Sequence, residues 1–85
     1  MQTYRIEIRK TVLKFLGRQP PNVQKRVLSA ILNLPQGTDI KKMGGYESRF
    51  RLRVGDIRVI YDRFEGMLLI VVVEIGYRGD VYKSV

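Results

Sequence analysis

The chain has 85 residues, enough for one small domain and too few for a multidomain enzyme. It contains no cysteine and no histidine, which excludes disulfides, zinc sites built from those residues, thiol nucleophiles and serine–histidine catalytic pairs. Sixteen Lys and Arg residues against eight Asp and Glu residues give a formal net charge of +8. This charge favours a polyanionic partner, although a basic surface could also merely keep a small protein soluble.

The positive charge is concentrated in the N-terminal half. Residues 1–42 carry nine basic and two acidic side chains, whereas residues 43–85 carry seven and six. The longest apolar run, residues 67–73, is too short to cross a bilayer, and the N-terminal residues lack the pattern of an export signal. We therefore expect a cytoplasmic protein with one domain over residues 1–85, no membrane association, no metal ion and no cofactor.

The N-terminal half is predicted to form one strand and two helices. Residues 3–9 alternate apolar and polar side chains, which is typical of a half-buried strand. Residues 10–16 change to helical spacing, and this short helix is expected to end at Gly17 in a left-handed conformation. Two prolines then begin a longer helix over residues 20–34, whose apolar side chains recur every three or four positions.

The C-terminal half is predicted to begin with a loop and then form three strands joined by hairpins. Residues 35–46 are rich in Gly, Pro and polar side chains and are expected to be the loop. Strands are predicted at residues 48–54, 57–64 and 67–75, and a two-residue turn starting at Gly55 joins the first two. The element order β-α-α-β-β-β predicts an α+β domain with both helices on one face of an antiparallel sheet.

Strand pairing predicts an arginine-rich face on the side of the sheet that the helices leave uncovered. The short turn places Arg53 opposite Arg58 and Arg51 opposite Ile60. Four arginines should therefore share this face: Arg49, Arg51, Arg53 and Arg58.

The last strand should be interior, because it is almost entirely apolar. A tight second turn would place Val73 opposite Arg58, and Gly76 would end the strand. Arg78 and Tyr82 would then reach the rim of the arginine face from the end of that strand.

Directly opposed arginines repel each other, so such a cluster suggests an external anion. The planar guanidinium binds phosphate through two hydrogen bonds at once. The alternative is that the arginines pair with acids close in the sequence and form an ordinary solvated surface. Four acids could do so: Asp39, Glu47, Asp56 and Asp62. Likewise, Tyr77 and Tyr82 could stack on bases or simply cover the sheet edge.

Two stretches of the sequence resemble the RelE family of toxins from prokaryotic toxin–antitoxin pairs. Residues 39–61 include the motif R-x-R-V-G-D-x-R-V-I-Y, and residues 73–82 include G-x-R-x-x-V-Y. The order of elements matches over the whole chain. The resemblance implies a compact α+β, microbial-ribonuclease-like fold that cuts messenger RNA in the ribosomal decoding site. It also implies neutralisation by a RelB-type antitoxin, and hence three partners: antitoxin, ribosome and mRNA.

In that family, a ribose 2′-hydroxyl attacks the adjacent phosphate and leaves a cyclic phosphate. The resemblance assigns the phosphate-binding roles to Arg58 and Arg78, and assigns Tyr82 to orienting the hydroxyl or stacking on a base. Arg49 and Arg51 stand where the family often has lysines, and they complete the implied catalytic set. The other expected RNA contacts are Lys25, Arg26, Lys41, Lys42, Arg53 and Tyr77.

The identity of the general base stays open at this stage. Arginine essentially never loses its proton, so Arg49 and Arg51 are not expected to act as the base. The base could be Tyr82, Glu47 or Glu74, or a ribosomal group. Alternatively, alignment and charge stabilisation could carry most of the catalysis.

Two other functions are compatible with this fold and charge. The ParE branch of the same superfamily inhibits DNA gyrase without cutting RNA, but its members generally lack the counterparts of Arg78 and Tyr82. A non-catalytic RNA-binding module would instead bind RNA with steep salt dependence and leave it intact. Fold alone does not discriminate among these functions.

Overall fold

The structure, a computed structural model, describes residues 3–78. The elements are β1 (Arg5–Ile8), α1 (Lys10–Gly17), α2 (Pro21–Leu32), β2 (Ile40–Lys42), β3 (Arg49–Val54), β4 (Ile57–Phe64) and β5 (Leu69–Tyr77), with a 3₁₀ turn at Glu65–Met67. Neither helix in this part of the chain has the length and apolar character needed to span a membrane.

The strands form one sheet in the order β1-β5-β4-β3-β2. The predicted α+β class is confirmed, and so are the positions of both helices and the interior place of β5. The sheet is mixed rather than wholly antiparallel, because β1 pairs with β5 in parallel. Parallel neighbouring strands must be joined by a long crossover connection. Here the chain between β1 and β5 includes both helices and the other three strands. One helix detail also differs: α1 ends at Gly17, but without the expected positive φ.

A fifth strand lies in the segment that was predicted to be a loop. Ile40 to Lys42 pair with β3, and the Ile40 side chain packs against the core. A strand of three residues is too short to give an alternating pattern, which explains why the sequence did not predict it. Its two lysines are exposed on the edge of the sheet, where charged side chains discourage pairing with another chain.

The main core lies between the helices and one side of the sheet, which we call the inner face. Each helix contributes two fully buried side chains to it, Val12 and Leu16 from α1 and Val27 and Ile31 from α2. The strands meet them with side chains that include Leu52, Val59, Tyr61, Ile70 and Val72. The opposite side of the sheet, which we call the outer face, buries only a small apolar cluster around Ile60 and Val73.

The register of the β3–β4 hairpin is the predicted one. Val54 pairs with Ile57, Arg53 with Arg58, and Arg51 with Ile60. Gly55 adopts a φ of 61°, a left-handed conformation that suits glycine at the first position of a tight hairpin turn. The turn at Gly55 sets the register that places these arginines on the outer face, and the sequence specifies that turn clearly.

The predicted register of the β4–β5 hairpin was wrong. The 3₁₀ turn and Leu68, with a φ of 48°, lengthen the connection, so that Phe64 pairs with Leu69. A bulge beside Ile60 then inserts one extra residue into β5. Arg58 consequently pairs with Gly76 instead of Val73, and β5 continues through Gly76 to Tyr77.

Candidate nucleic-acid interface

Strand alternation brings the predicted arginines of β3 and β4 together on the outer face. The β4–β5 pairing runs on beyond Ile57 and Tyr77, since the backbone N–H of Arg78 donates to the carbonyl of Asp56 at 2.8 Å. By alternation, Arg78 therefore lies on the same side as Arg58, and it is exposed. Tyr82 is outside the described residues, so its predicted role stays a prediction.

Arg49 is held by an acidic partner on the neighbouring strand. Its Nε and Nη2 each donate to one carboxylate oxygen of Asp62 at 3.0 Å, and the Ser48 hydroxyl donates to the same carboxylate at 3.4 Å. The guanidinium also lies over the Tyr46 ring, 4.9 Å from the ring centroid. The hydrogen bond to Asp62 raises the pKa of Arg49 above its ordinary value despite some desolvation. This geometry makes Arg49 a fixed cation and reinforces the expectation that it is not a base.

We predict that Asp62→Ala lowers the free energy of unfolding by about 1–3 kcal/mol, because it leaves a half-buried guanidinium without its carboxylate. Urea unfolding followed by circular dichroism measures the change. Glu65→Ala is the matched control, since it removes an exposed acid that pairs with Arg63. Exposed pairs contribute little. Equal losses of unfolding free energy in the two variants would show that the Arg49–Asp62 contact stabilises the fold no more than an exposed ion pair does.

Arg53 also has an acidic partner, because its Nε donates to the carboxylate of Asp39 just before β2. This pair ties the start of the edge strand to β3, and the Arg53 N–H donates to the Asp39 carbonyl as well. Arg49 and Arg53 thus follow the alternative in which neighbouring acids neutralise them. The outer face is therefore partly a structural ion-pair surface and only partly available to an external anion.

Arg58 differs from both of these arginines. Only 7% of its surface is exposed, yet no described carboxylate forms an ion pair with it. Its Nη1 donates a long hydrogen bond of 3.4 Å to the Gly55 carbonyl. Its neighbours across the strands are another arginine, Arg53, and a residue without a side chain, Gly76. A buried cation in such surroundings is costly unless an anion binds to it.

Arg51 belongs to a row of paired residues that crosses four strands. Lys41 pairs with Arg51, Arg51 with Ile60, and Ile60 with Glu74. Beside this row, Met43 covers the apolar cluster of the outer face. A shallow cleft of about 190 Å³ opens there, lined by Lys41, Lys42, Met43, Gly44 and Arg51. Two of the possible bases lie among the described residues. Glu74 lies opposite Ile60 at the β5 end of this row, whereas Glu47 is exposed in the loop before β3.

Several of the predicted RNA contacts lie away from the outer face. Tyr77 points to the inner side of β5, where its hydroxyl donates to Gln19 and its ring packs against Phe15 at 5.6 Å. Lys25 and Arg26 are exposed on α2, on the helical side of the protein. Lys42 borders the cleft beside Arg51, but it pairs with the inner-face residue Phe50, so alternation turns its side chain away from Lys41. These four residues do not join the arginine cluster.

The sequence reasoning did not assign functional weight to Asp62 or Tyr46. The signal for Asp62 was available, because extending the predicted hairpin register places it directly opposite Arg49. Tyr46 gave no such signal, since it lies in an irregular loop where no periodicity fixes the direction of a side chain. Among residues 3–78, no group of three or more acidic residues is placed to hold a metal ion.

Comparison with solved structures defines the class of protein to which this fold belongs. A chain of the archaeal RelE–RelB complex from Pyrococcus horikoshii OT3 matches with a TM-score of 0.77 and 30% identity, over 91% of this chain and 97% of that one. A chain of the RelB–RelE antitoxin–toxin complex from Methanococcus jannaschii matches with a TM-score of 0.72 and 28% identity, over 92% and 96%. The described fold is therefore that of RelE-type toxins.

Sequence comparison shows the family itself. The chain is 31% identical over 87 residues to the protein named "Putative toxin RelE1" from Methanocaldococcus jannaschii, with 95% of this chain and 97% of that protein covered. The chain belongs to the RelE family of toxins. No protein-family model matches it.

Proposed function

We propose that this protein is the toxin of a type II toxin–antitoxin pair and acts as a ribosome-dependent endoribonuclease on messenger RNA. Membership of the RelE family supports the toxin assignment. The observation that carries the nuclease assignment is Arg58, a buried cation that lacks an ion-pair partner among the described residues. The proposed place of action is the cytoplasm, where translating ribosomes supply the substrate.

In the proposed reaction, the 2′-oxygen of one ribose attacks the adjacent phosphorus and the bond from phosphorus to the 5′-oxygen breaks. The products are a 2′,3′-cyclic phosphate and a free 5′-hydroxyl. Arg58 and Arg78 donate hydrogen bonds to the non-bridging oxygens, where negative charge increases in the transition state. Because Gly76 has no side chain, nothing from that position of β5 covers Arg58.

The proposed reaction also requires proton transfers, and the arginines are unsuited to the role of general base. A base must accept the proton of the 2′-hydroxyl, and the leaving 5′-oxygen must gain a proton. Arg49 is unsuited to either transfer because Asp62 holds it in the charged form. We assign it to structure instead. The base remains among the groups named from the sequence, Tyr82, Glu47, Glu74 or a ribosomal group.

We further propose a RelB-type antitoxin as the protein partner. The related chains from Pyrococcus horikoshii and Methanococcus jannaschii come from structures described as complexes of RelE with RelB. The formal net charge of +8 is complementary to a carboxylate-rich partner segment. Association of the two chains would produce a hetero-oligomer in which the toxin is inactive.

The proposal is tested by primer extension on a message translated in a cell-free system to which the purified protein is added. We expect new 5′ ends within codons, and we expect them only in reactions that contain ribosomes. The same message without ribosomes is the control. Intact message in both reactions would contradict the nuclease assignment, and a gyrase supercoiling assay would then test the ParE-type alternative.

The exposed basic pair on α2 gives a separate prediction about ribosome binding. We expect the double variant Lys25→Ala/Arg26→Ala to bind ribosomes more weakly than the parent and with a shallower dependence on salt, because fewer counterions are released. Binding is measured by cosedimentation at several salt concentrations. An unchanged salt slope would remove these residues from the ribosome contact.

A further inference from the structure

Tyr46 is an exposed aromatic residue for which the proposed reaction has no use. It lies in the loop between β2 and β3, and 43% of its surface is exposed. The guanidinium of Arg49 covers one side of its ring at 4.9 Å from the centroid. The arrangement leaves an aromatic surface open to solvent beside the outer face.

The position of this ring is fixed by contacts that extend into the sheet. The N–H of Met43 donates to the Arg49 carbonyl at 2.9 Å, and the N–H of Arg63 donates to the Ser48 carbonyl at 2.9 Å, so both ends of the loop are tied to strands. Gly45 takes the turn between them with a φ of 83°. Since Asp62 in turn holds Arg49 through two hydrogen bonds, the ring rests on a fixed cation.

The cleft that contains Arg51 begins next to this loop. Lys41 and Arg51 face each other across the β2–β3 pair, and Met43 supplies an apolar wall. Its volume is about 190 Å³. The two facing cations of this small cleft suit a phosphate group.

The cleft is also close to the proposed reaction site. Arg51 and Arg58 lie on adjacent strands, and their rows are two residues apart along the strand. Ideal sheet spacings put their Cα atoms about 8 Å apart. A single strand of RNA lying across the outer face would reach both arginines with neighbouring nucleotides.

We propose that Tyr46 and the Lys41–Arg51 cleft form a nucleotide subsite for single-stranded RNA next to the reactive phosphate. A base stacks on the open side of the Tyr46 ring, and the phosphate of that nucleotide binds Lys41 and Arg51. Bases of every kind stack on aromatic rings, so the subsite contributes affinity and register with little sequence preference. The inference depends on the proposed function in one respect only, namely that the bound RNA is messenger RNA. The binding step itself requires neither ribosome nor cleavage.

The direct test uses the absence of tryptophan from this protein. In the Tyr46→Trp variant the introduced side chain is a single fluorescent reporter, and we titrate it with a short single-stranded oligoribonucleotide at low salt. We expect saturable quenching that Lys41→Ala weakens. Inorganic polyphosphate, which offers anions without bases, should compete for the site without causing that quenching. Binding of a labelled oligoribonucleotide with no change in tryptophan emission would overturn the stacking contact, and so would no binding.

A second set of variants separates stacking from folding effects. We expect Tyr46→Leu to weaken binding of the labelled oligoribonucleotide about tenfold, which is the scale of one lost base stack, and Tyr46→Phe to keep it. Tyr77 is equally exposed at 42% but lies toward the inner side, and it is one of the two aromatic residues, with Tyr82, that the sequence offered for base stacking. A larger loss in Tyr77→Leu than in Tyr46→Leu would overturn the assignment. Thermal unfolding verifies that each variant is folded.

These outcomes are distinct from a failure of the proposed function. A protein that binds the oligoribonucleotide through Tyr46 but never cuts message on ribosomes would support the subsite and contradict the nuclease. A protein that cuts message and is indifferent to Tyr46→Leu in the binding measurement would support the nuclease and contradict the subsite.

Discussion

Arg58→Met should lower ribosome-dependent cleavage by about 10²–10³-fold, the usual effect of removing one preorganised donor to a developing oxyanion. The same substitution should not destabilise the fold. Arg58 is a buried cation for which the described residues offer no carboxylate, so replacing it with an apolar side chain of similar length removes a desolvation cost. Activity and stability are thus expected to change in opposite directions. Primer extension measures the activity, and urea unfolding measures the stability.

Arg58→Lys is the control for this prediction. Lysine keeps the positive charge but loses the planar fork that binds two phosphate oxygens, so we expect cleavage between that of the parent and that of Arg58→Met. A variant Arg58→Met that cleaves like the parent would exclude Arg58 from catalysis. A marked loss of stability would instead assign Arg58 to holding the hairpin turn through Gly55.

Arg78→Ala should lower cleavage by about 10²-fold or more while the fold is unchanged. Arg78 is exposed at the end of β5, and its structural contact with Asp56 is made by the backbone N–H, which alanine retains. The side chain is therefore available for phosphate, and its removal affects charge stabilisation alone. We expect the same direction of change for Tyr82→Phe, which tests the role that the family resemblance assigns to Tyr82.

Arg5→Ala is the matched control for Arg78→Ala. Arg5 is also an exposed arginine at one end of a strand, but it lies on β1 and pairs with Glu7. We expect this variant to cleave message like the parent. If Arg5→Ala reduces cleavage as much as Arg78→Ala does, the loss reflects overall charge rather than a specific phosphate contact. Full cleavage by both Arg78→Ala and Tyr82→Phe would contradict the assignment of the reaction.

The sequence predicted those parts of the site that depend on short-range rules. The two-residue turn at Gly55 fixes one register, and that register alone places Arg53 opposite Arg58. Strand periodicity then assigns Arg49, Arg51, Arg53 and Arg58 to one face. The pairing of Arg49 with Asp62 follows from the same register and could have been predicted with more certainty.

The features that the sequence did not predict depend on longer-range or irregular structure. The bulge beside Ile60 shifts the pairing of β5 with β4 by one residue from Glu74 onward. No local pattern in a nearly all-apolar strand marks such a shift. Gly76 was expected to end β5, but it continues the strand and pairs with Arg58 instead. Tyr77 consequently falls on the inner side, which separates it from the arginines of the outer face.

The arginines of the outer face also divide into two groups that composition cannot distinguish. Arg49 and Arg53 are neutralised by Asp62 and Asp39, so their contribution to the electrostatic attraction of RNA is reduced. Arg58 keeps its charge without such a partner among the described residues. A buried cation without a paired carboxylate is costly unless an anion binds to it, and only the side-chain geometry reveals this difference.

The most direct measurement replaces a single ribose at the cut site. Ribosomes carrying a message with one 2′-deoxynucleotide, at the position where the unmodified message is cut, are incubated with the protein, and the fragments are resolved by length. We expect the unmodified message to yield a fragment ending in a 2′,3′-cyclic phosphate and the deoxy message to stay intact at that position. Equal cleavage of both messages would contradict attack by the 2′-hydroxyl, and no cleavage of either would contradict the nuclease itself.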